Sequence, residues 1–128
     1  MGFFQDLNST SVVGTVCRSF VVFTGTGTVT IRKQFNVSSI TDAGTGFYRV
    51  NLANSNPNIN YCCLATGTAG QTSGGLATLD TTSFGGTGSN QPNSVTSYQI
   101  RGVDGSADSG SGSPIDMPWV NSITLMED

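Results

Sequence analysis

Residues 35–52, FNVSSITDAGTGFYRVNL, leave few folds open. Phe35, Val37 and Ile40 place apolar side chains ahead of a break, and TDAGTG supplies the break. Asp42 is suited to accept a backbone N–H in an Asx turn, and Gly44 and Gly46 reach positive φ without steric cost. Beyond the break, Tyr48, Val50 and Leu52 fall on one face and Phe47, Arg49 and Asn51 on the other. That period of two marks a half-buried strand. The stretch therefore predicts a β-hairpin with Arg49 on a solvated outer face. Ser38-Ser39 interrupts the first arm and predicts a bulge there.

The rest of the chain repeats the theme. No stretch sustains a 3.6-residue apolar period between caps, so no long helix is expected. VCRSFVVF (16–23) and TVTIRKQF (28–35) read as strands around a TGTG break, with Val29, Ile31 and Lys33 sharing a face. NSNPNIN (54–60) is a turn cluster, and YCCLAT (61–66) a strand with Cys62 and Cys63 on opposite faces. A short strand is expected around 76–82. SVTSYQIRGV (94–103) alternates again, with Tyr98, Ile100 and Gly102 together. WVNSITLMED (119–128) puts Trp119, Asn121 and Ile123 on one face and Val120, Ser122 and Thr124 on the other. That mixed pattern suits a strand packed on both faces or lying at a subunit interface. Short strands at this spacing predict an all-β fold, an antiparallel β-sandwich (jelly-roll-like or similar) with long Gly/Ser/Thr-rich loops. A chain of 128 residues fits one core. The expected organisation is an N-terminal extension over 1–15, for docking or oligomer contact, and a single sandwich domain over 16–128.

Charged residues make up 10% of the chain, against roughly 25% in an average soluble domain. The polar surface must then come from Ser, Thr, Asn and Gly. A net charge of −3 with five Lys and Arg argues against nucleic-acid phosphates as partners. No apolar run reaches the length needed to cross a bilayer, so no membrane insertion is expected. There is no His, so the commonest general base is missing, along with Ser-His and Cys-His pairs. TGTGTVTIRK lacks the Gly-Lys-Ser/Thr ending of a phosphate loop and leads into a strand. No catalytic residues, no enzyme activity and no cofactor are expected. Three cysteines suit reduced packing residues better than a disulfide framework. Asp104, Asp108 and Asp116, in DGSADSGSGSPID, form a weak Ca²⁺ candidate, but their spacing does not match an EF-hand and a solvated acidic loop is favoured. MGFFQDLNSTSVVG carries neither a signal-peptide pattern nor, with Asp6 at the sixth position, a complete myristoylation motif. The sequons at Asn8 and Asn36 are then accidental.

Residues 17–61 carry a more specific signal: an aromatic strand ending at Phe23, GTGTV over 25–29, Ile31 and Arg32, FNVSSITD over 35–42, GTG over 44–46, then Tyr48, Val50, Asn51, Pro57 and Tyr61. This run resembles a module found at the C-termini of tailed-bacteriophage tail fibres and in small virion structural proteins. The resemblance covers about a third of the chain, and SYQIRG and WVNSITLMED sit where the family has its last strands. It implies a bacteriophage virion structural protein, a tail fibre or a fibre-associated tip or adaptor taking part in host attachment. It also implies a homotrimer, other tail or baseplate proteins as partners, a possible host-surface glycan, and a virion tail location after assembly in the host cytoplasm. Alternatives are a capsid decoration (cement) protein or a non-viral carbohydrate-binding module. The loops 67–93 and 104–118 fall outside the resemblance and are expected to carry recognition. The binding candidates are Phe84, Asn90, Asp104, Asp108, Asp116 and Trp119.

Overall fold

In the computed structural model, which describes residues 15–68, 75–79, 94–104 and 114–127, the hairpin forms as β3 (Val37–Gly44) and β4 (Phe47–Leu52). Gly44 and Gly46 take φ of 126° and 72°, and the Gly44 N–H donates to Asp42 Oδ1 at 3.0 Å. The ladder between the two strands shifts register between Val37 and Ser39, which is the bulge expected at the serine pair. The other strands are β1 (Thr15–Thr24), β2 (Thr30–Phe35), β5 (Cys62–Thr68), β6 (Gly75–Leu79), β7 (Ser97–Asp104) and β8 (Trp119–Glu127). All pairings are antiparallel. They build two four-stranded sheets: sheet A in the order β2-β1-β8-β5 and sheet B in the order β3-β4-β7-β6. The protein is an all-β sandwich. Of the expected extension, residues 1–14 lie outside the described residues.

The core lies between the sheets. Tyr48, Val50 and Leu52 face inward from β4, and Tyr98, Ile100 and Gly102 from β7. Val21 and Phe23 on β1, Cys63 on β5, and Val120 and Met126 on β8 close it from sheet A. Phe23 meets Tyr48 edge to face, with ring centroids 5.2 Å apart. Cys62 is exposed and Cys63 buried, as alternation requires, and Cys17, Cys62 and Cys63 are all free thiols.

One expectation needs amendment. Lys33 does not share a face with Val29 and Ile31. The β1–β2 register shifts between Val22 and Phe23, so Lys33 pairs with Val22 while Ile31 pairs with Phe23. That extra residue on β2 turns Lys33 outward and leaves Val29 and Ile31 against the core. The inward half of β8's mixed pattern is explained within the sandwich. The strand lies in the middle of sheet A and turns Ser122 and Thr124 into the core. Their hydroxyls are satisfied there: Ser19 Oγ and Thr124 Oγ1 are 2.6 Å apart, and so are Tyr98 Oη and Ser122 Oγ. A paired hydroxyl in the core avoids the desolvation cost of an unpaired one.

The chain passes from sheet A to sheet B through one residue, Asn36, at φ 53°. Asparagine tolerates this left-handed backbone better than most residues. Its amide then fixes the corner. Nδ2 donates to the carbonyls of Arg18 (3.0 Å) and Asn54 (3.1 Å). Oδ1 accepts from the Asn54 N–H (2.8 Å) and from Asn54 Nδ2 (3.0 Å). The corner is thereby tied both to β1 and to the turn that follows β4.

Candidate functional site

The described site candidates do not converge. Asp116 is committed to the scaffold. Its Oδ1 accepts from the Gly46 N–H at 2.7 Å and lies 3.3 Å from the Tyr48 hydroxyl. That hydroxyl accepts from the Met117 N–H at 3.2 Å and faces Gly25 O at 3.0 Å. Burial, opposed by the Met117 N–H and reinforced by the Asp116 carboxylate, pushes the Tyr48 phenol up to about 12. Residues 114–118 thus lie close over the hairpin turn. A Cβ at Gly46 would come within 2.7 Å of Gly102 O, and one at Gly102 within 2.5 Å of Ile115 O. This end of the loop expected to carry recognition holds the sandwich together. Asp104 ends β7, pairing with Gly75. Phe84, Asn90 and Asp108 lie outside the described residues. Among the described residues no cluster of three His, Cys, Asp or Glu side chains could hold a metal ion.

Trp119 opens β8 and is partly exposed on the outer side of sheet A. The Arg32 guanidinium stacks over its ring, 4.6 Å from the centroid, and Arg32 Nε donates to Thr24 Oγ1 at 2.8 Å. The indole N–H donates to Asn121 Oδ1 at 2.9 Å. The ring is held in place and one of its faces is covered.

The outward faces of the two sheets differ in kind. Sheet B presents a polar face. Asn51 Nδ2 bonds both Ser39 Oγ and Thr41 Oγ1 at 3.0 Å, and Arg101 lies over Phe47 at 5.5 Å. Arg49 sits in register between Thr41 and Gln99, half-buried instead of fully solvated. Sheet A carries an apolar strip on its outward face, flanked by Thr66 and Asn121. Phe20, Val22, Leu64 and Ile123 line a shallow depression of about 360 Å³, and Leu64 is 55% exposed. Burying such a face is favourable by roughly 25 cal/mol per Å² of apolar surface.

A second depression, of about 490 Å³, opens beside the Asn36 corner. Its walls come from the start of β1, from the junction Phe35-Asn36 and from the turn 53–56. Phe35 is 53% exposed, and its ring stacks on Phe20 with centroids 6.1 Å apart and planes at 24°. None of these residues was a site candidate in the sequence, because three separate segments meet only once the strands pair. Comparisons with protein-family models, with curated proteins and with solved structures find no match for this chain.

Proposed function

We propose that the chain is a bacteriophage virion structural protein, a tail fibre or fibre-associated tip or adaptor that takes part in host attachment and assembles with further copies of itself. The reading rests on the resemblance of residues 17–61 to the β-module of tail-fibre and small virion proteins. One structural observation supports it: the apolar outward face of sheet A, with Phe20, Val22, Leu64 and Ile123 against the polar face of sheet B. Contiguous exposed apolar surface of this kind marks an interaction site. A face related by a symmetry axis to copies of itself suits the homotrimer that the resemblance implies. Few charges and many hydroxyls fit a particle surface that carries neither catalysis nor nucleic acid.

Immunogold electron microscopy of the particles that encode the chain tests the location. Label at the tail supports the reading, label on the head reassigns the chain to capsid decoration, and unlabelled particles refute a virion role. Light scattering of the purified chain tests the assembly. A stable monomer at micromolar concentration refutes it, whereas a trimer that Leu64→Asp converts to monomer supports sheet A as the interface.

A further inference from the structure

We infer that β3 is a self-pairing edge: it takes β3 of a second copy in antiparallel register about Ile40, joining two copies of sheet B into one continuous sheet. The edges of the sandwich are not equivalent. β5 and β6 are consecutive strands of different sheets and lie against each other, so each covers the other's edge. β2 carries Arg32 and Lys33, both exposed, and its pairing with β1 is bulged. Charges and bulges of this kind deter pairing with another chain. β3, VSSITDAG, holds no Lys, Arg or Pro, and among the described residues no strand lies on its far side. Bulges at its two ends bracket a regular run from Ser39 to Asp42.

The ladders show which backbone groups of that run are open. The Leu52 N–H donates to Thr96 O, and the Gly102 N–H to Gly46 O, so the even-numbered residues of β4 bond towards β7. Arg49 and Asn51 are left to bond Thr41 and Ser39, their partners on β3. Ile40 and Asp42, opposite Val50 and Tyr48, therefore turn their N–H and C=O groups away from β4, where no backbone partner meets them among the described residues. The side chains that could cap these groups are engaged elsewhere. Ser38 Oγ donates to Asn51 O, Asp42 Oδ1 accepts from the Gly44 N–H, and Ser39 Oγ and Thr41 Oγ1 both accept from Asn51 Nδ2.

The strand is complementary to itself. Paired about Ile40, the two copies exchange N–H···O bonds between their Ile40 residues. Ile40 then lies beside Ile40, Ser39 beside Thr41, and the Asp42 carboxylate beside the neutral Ser38. No like charges meet, and the hydroxyl row of one copy continues into that of the other. Pairing about Thr41 would instead set Ile40 against the Asp42 carboxylate. This contact lies on the other sheet from the apolar strip. With so few bonds it is weak, so it forms at submillimolar concentration and leaves the mass at micromolar concentration to sheet A.

The test uses two full-length chains, one with Ser39→Cys and one with Thr41→Cys, both carrying Cys62→Ser to remove the exposed native thiol. Each is checked for unchanged far-UV circular dichroism. They are oxidised with glutathione disulfide at submillimolar concentration, separately and mixed, and read by non-reducing electrophoresis. In the inferred register positions 39 and 41 of different copies are directly opposite, about 4.5 Å apart at Cα, within disulfide range. The expected result is at least roughly tenfold more cross-linked dimer in the mixture than in either chain alone, because like positions lie beyond bridging distance. Ile40→Pro in both chains removes the open N–H without touching the ladder to β4, and should abolish the gain. If Ile40→Pro does not fold, the comparison of mixed with separate chains decides alone. Leu64→Asp in both chains should leave the cross-link unchanged. The inference is overturned if the mixture gives no more dimer than the separate chains, as an edge reserved for a different protein would, if the Thr41→Cys chain cross-links to itself as well as the mixture does, if a folded Ile40→Pro pair cross-links undiminished, or if Leu64→Asp abolishes the link. A mixture that fails to cross-link leaves the sheet A assembly, read by light scattering, and the virion location, read by microscopy, untouched.

Discussion

Gly25→Ala adds one methyl group at the point where the core is most tightly closed. The new Cβ would lie 2.4 Å from Tyr48 Oη, 2.6 Å from Tyr48 Cζ and 2.9 Å from the Met117 carbonyl oxygen. Neither neighbour retreats easily. The phenol is bonded to backbone on two segments and packed edge to face on Phe23. The Met117 carbonyl accepts the Gly25 N–H itself at 2.8 Å. Overpacking of this kind costs about 1–3 kcal/mol, and a displaced backbone hydrogen bond adds about 1 kcal/mol. A total of about 2–4 kcal/mol is a large part of the 5–15 kcal/mol typical of a domain. At this chain length each kcal/mol lowers Tm by about 3–5 °C, so a drop of roughly 6–20 °C is expected. Gly27→Ala is the control. Gly27 has φ of 64° and nothing within 4 Å of an added Cβ, so only the backbone cost of about 1–2 kcal/mol applies. Guanidinium unfolding followed by circular dichroism and Trp119 fluorescence separates the two. Equal stability losses, or a Gly25→Ala loss below about 0.5 kcal/mol, would refute the steric account.

Asn36→Ala removes both the tolerated positive φ and the corner's side-chain bonds, and should cost about 2–4 kcal/mol; Asn36→Gly should recover about 1 kcal/mol of that in the same unfolding assay. Val50→Asp buries an unpaired carboxylate at a fully buried position and should abolish the native circular dichroism outright. Burial raises the phenol pKa of all three tyrosines, that of Tyr48 from 10.0 to about 12. The folded state holds these protons more tightly than the unfolded chain, so the associated stability is complete below pH 10 and is lost as pH climbs through 12. Absorbance at 295 nm should show tyrosinate appearing only with loss of circular dichroism; ionisation near pH 10 in a folded protein would contradict the burial.

The strands were legible because alternation is a local property. Tyr48, Val50 and Leu52, or Tyr98 and Ile100, declare their shared face within six residues. The partners of a strand are not local, and nothing in WVNSITLMED places it between β1 and β5. The same limit explains Asp116. In the sequence it is one acid in a polar loop, and its role depends on Gly46 and Tyr48, about seventy positions away. The inward placement of Ser122 and Thr124 could not be read locally, because their partners, Tyr98 and Ser19, lie on other strands. The groove beside Phe35 was hidden for a related reason. Phe35 belongs to an apolar set with Val37 and Ile40, and only its pairing with Phe20 on the outward side of edge strand β2 leaves it exposed.

The central position of β8 in sheet A bears on how the protein is made. β1 pairs with β8 across about a hundred residues of intervening chain, and β5 pairs with nothing else in its sheet. On the ribosome, β1 and β2 are free to meet early, but two ladders of sheet A stay open until Trp119–Glu127 has emerged. Until then the inner faces of both sheets lack their cover, and the nascent chain presents apolar strands with unpaired edges. Closure so dominated by distant pairings belongs to the slow end of single-domain folding, in milliseconds to seconds. Emergence of β8, more than any earlier step of synthesis, is then the moment at which the sandwich can close and its apolar outer strip first becomes a defined surface.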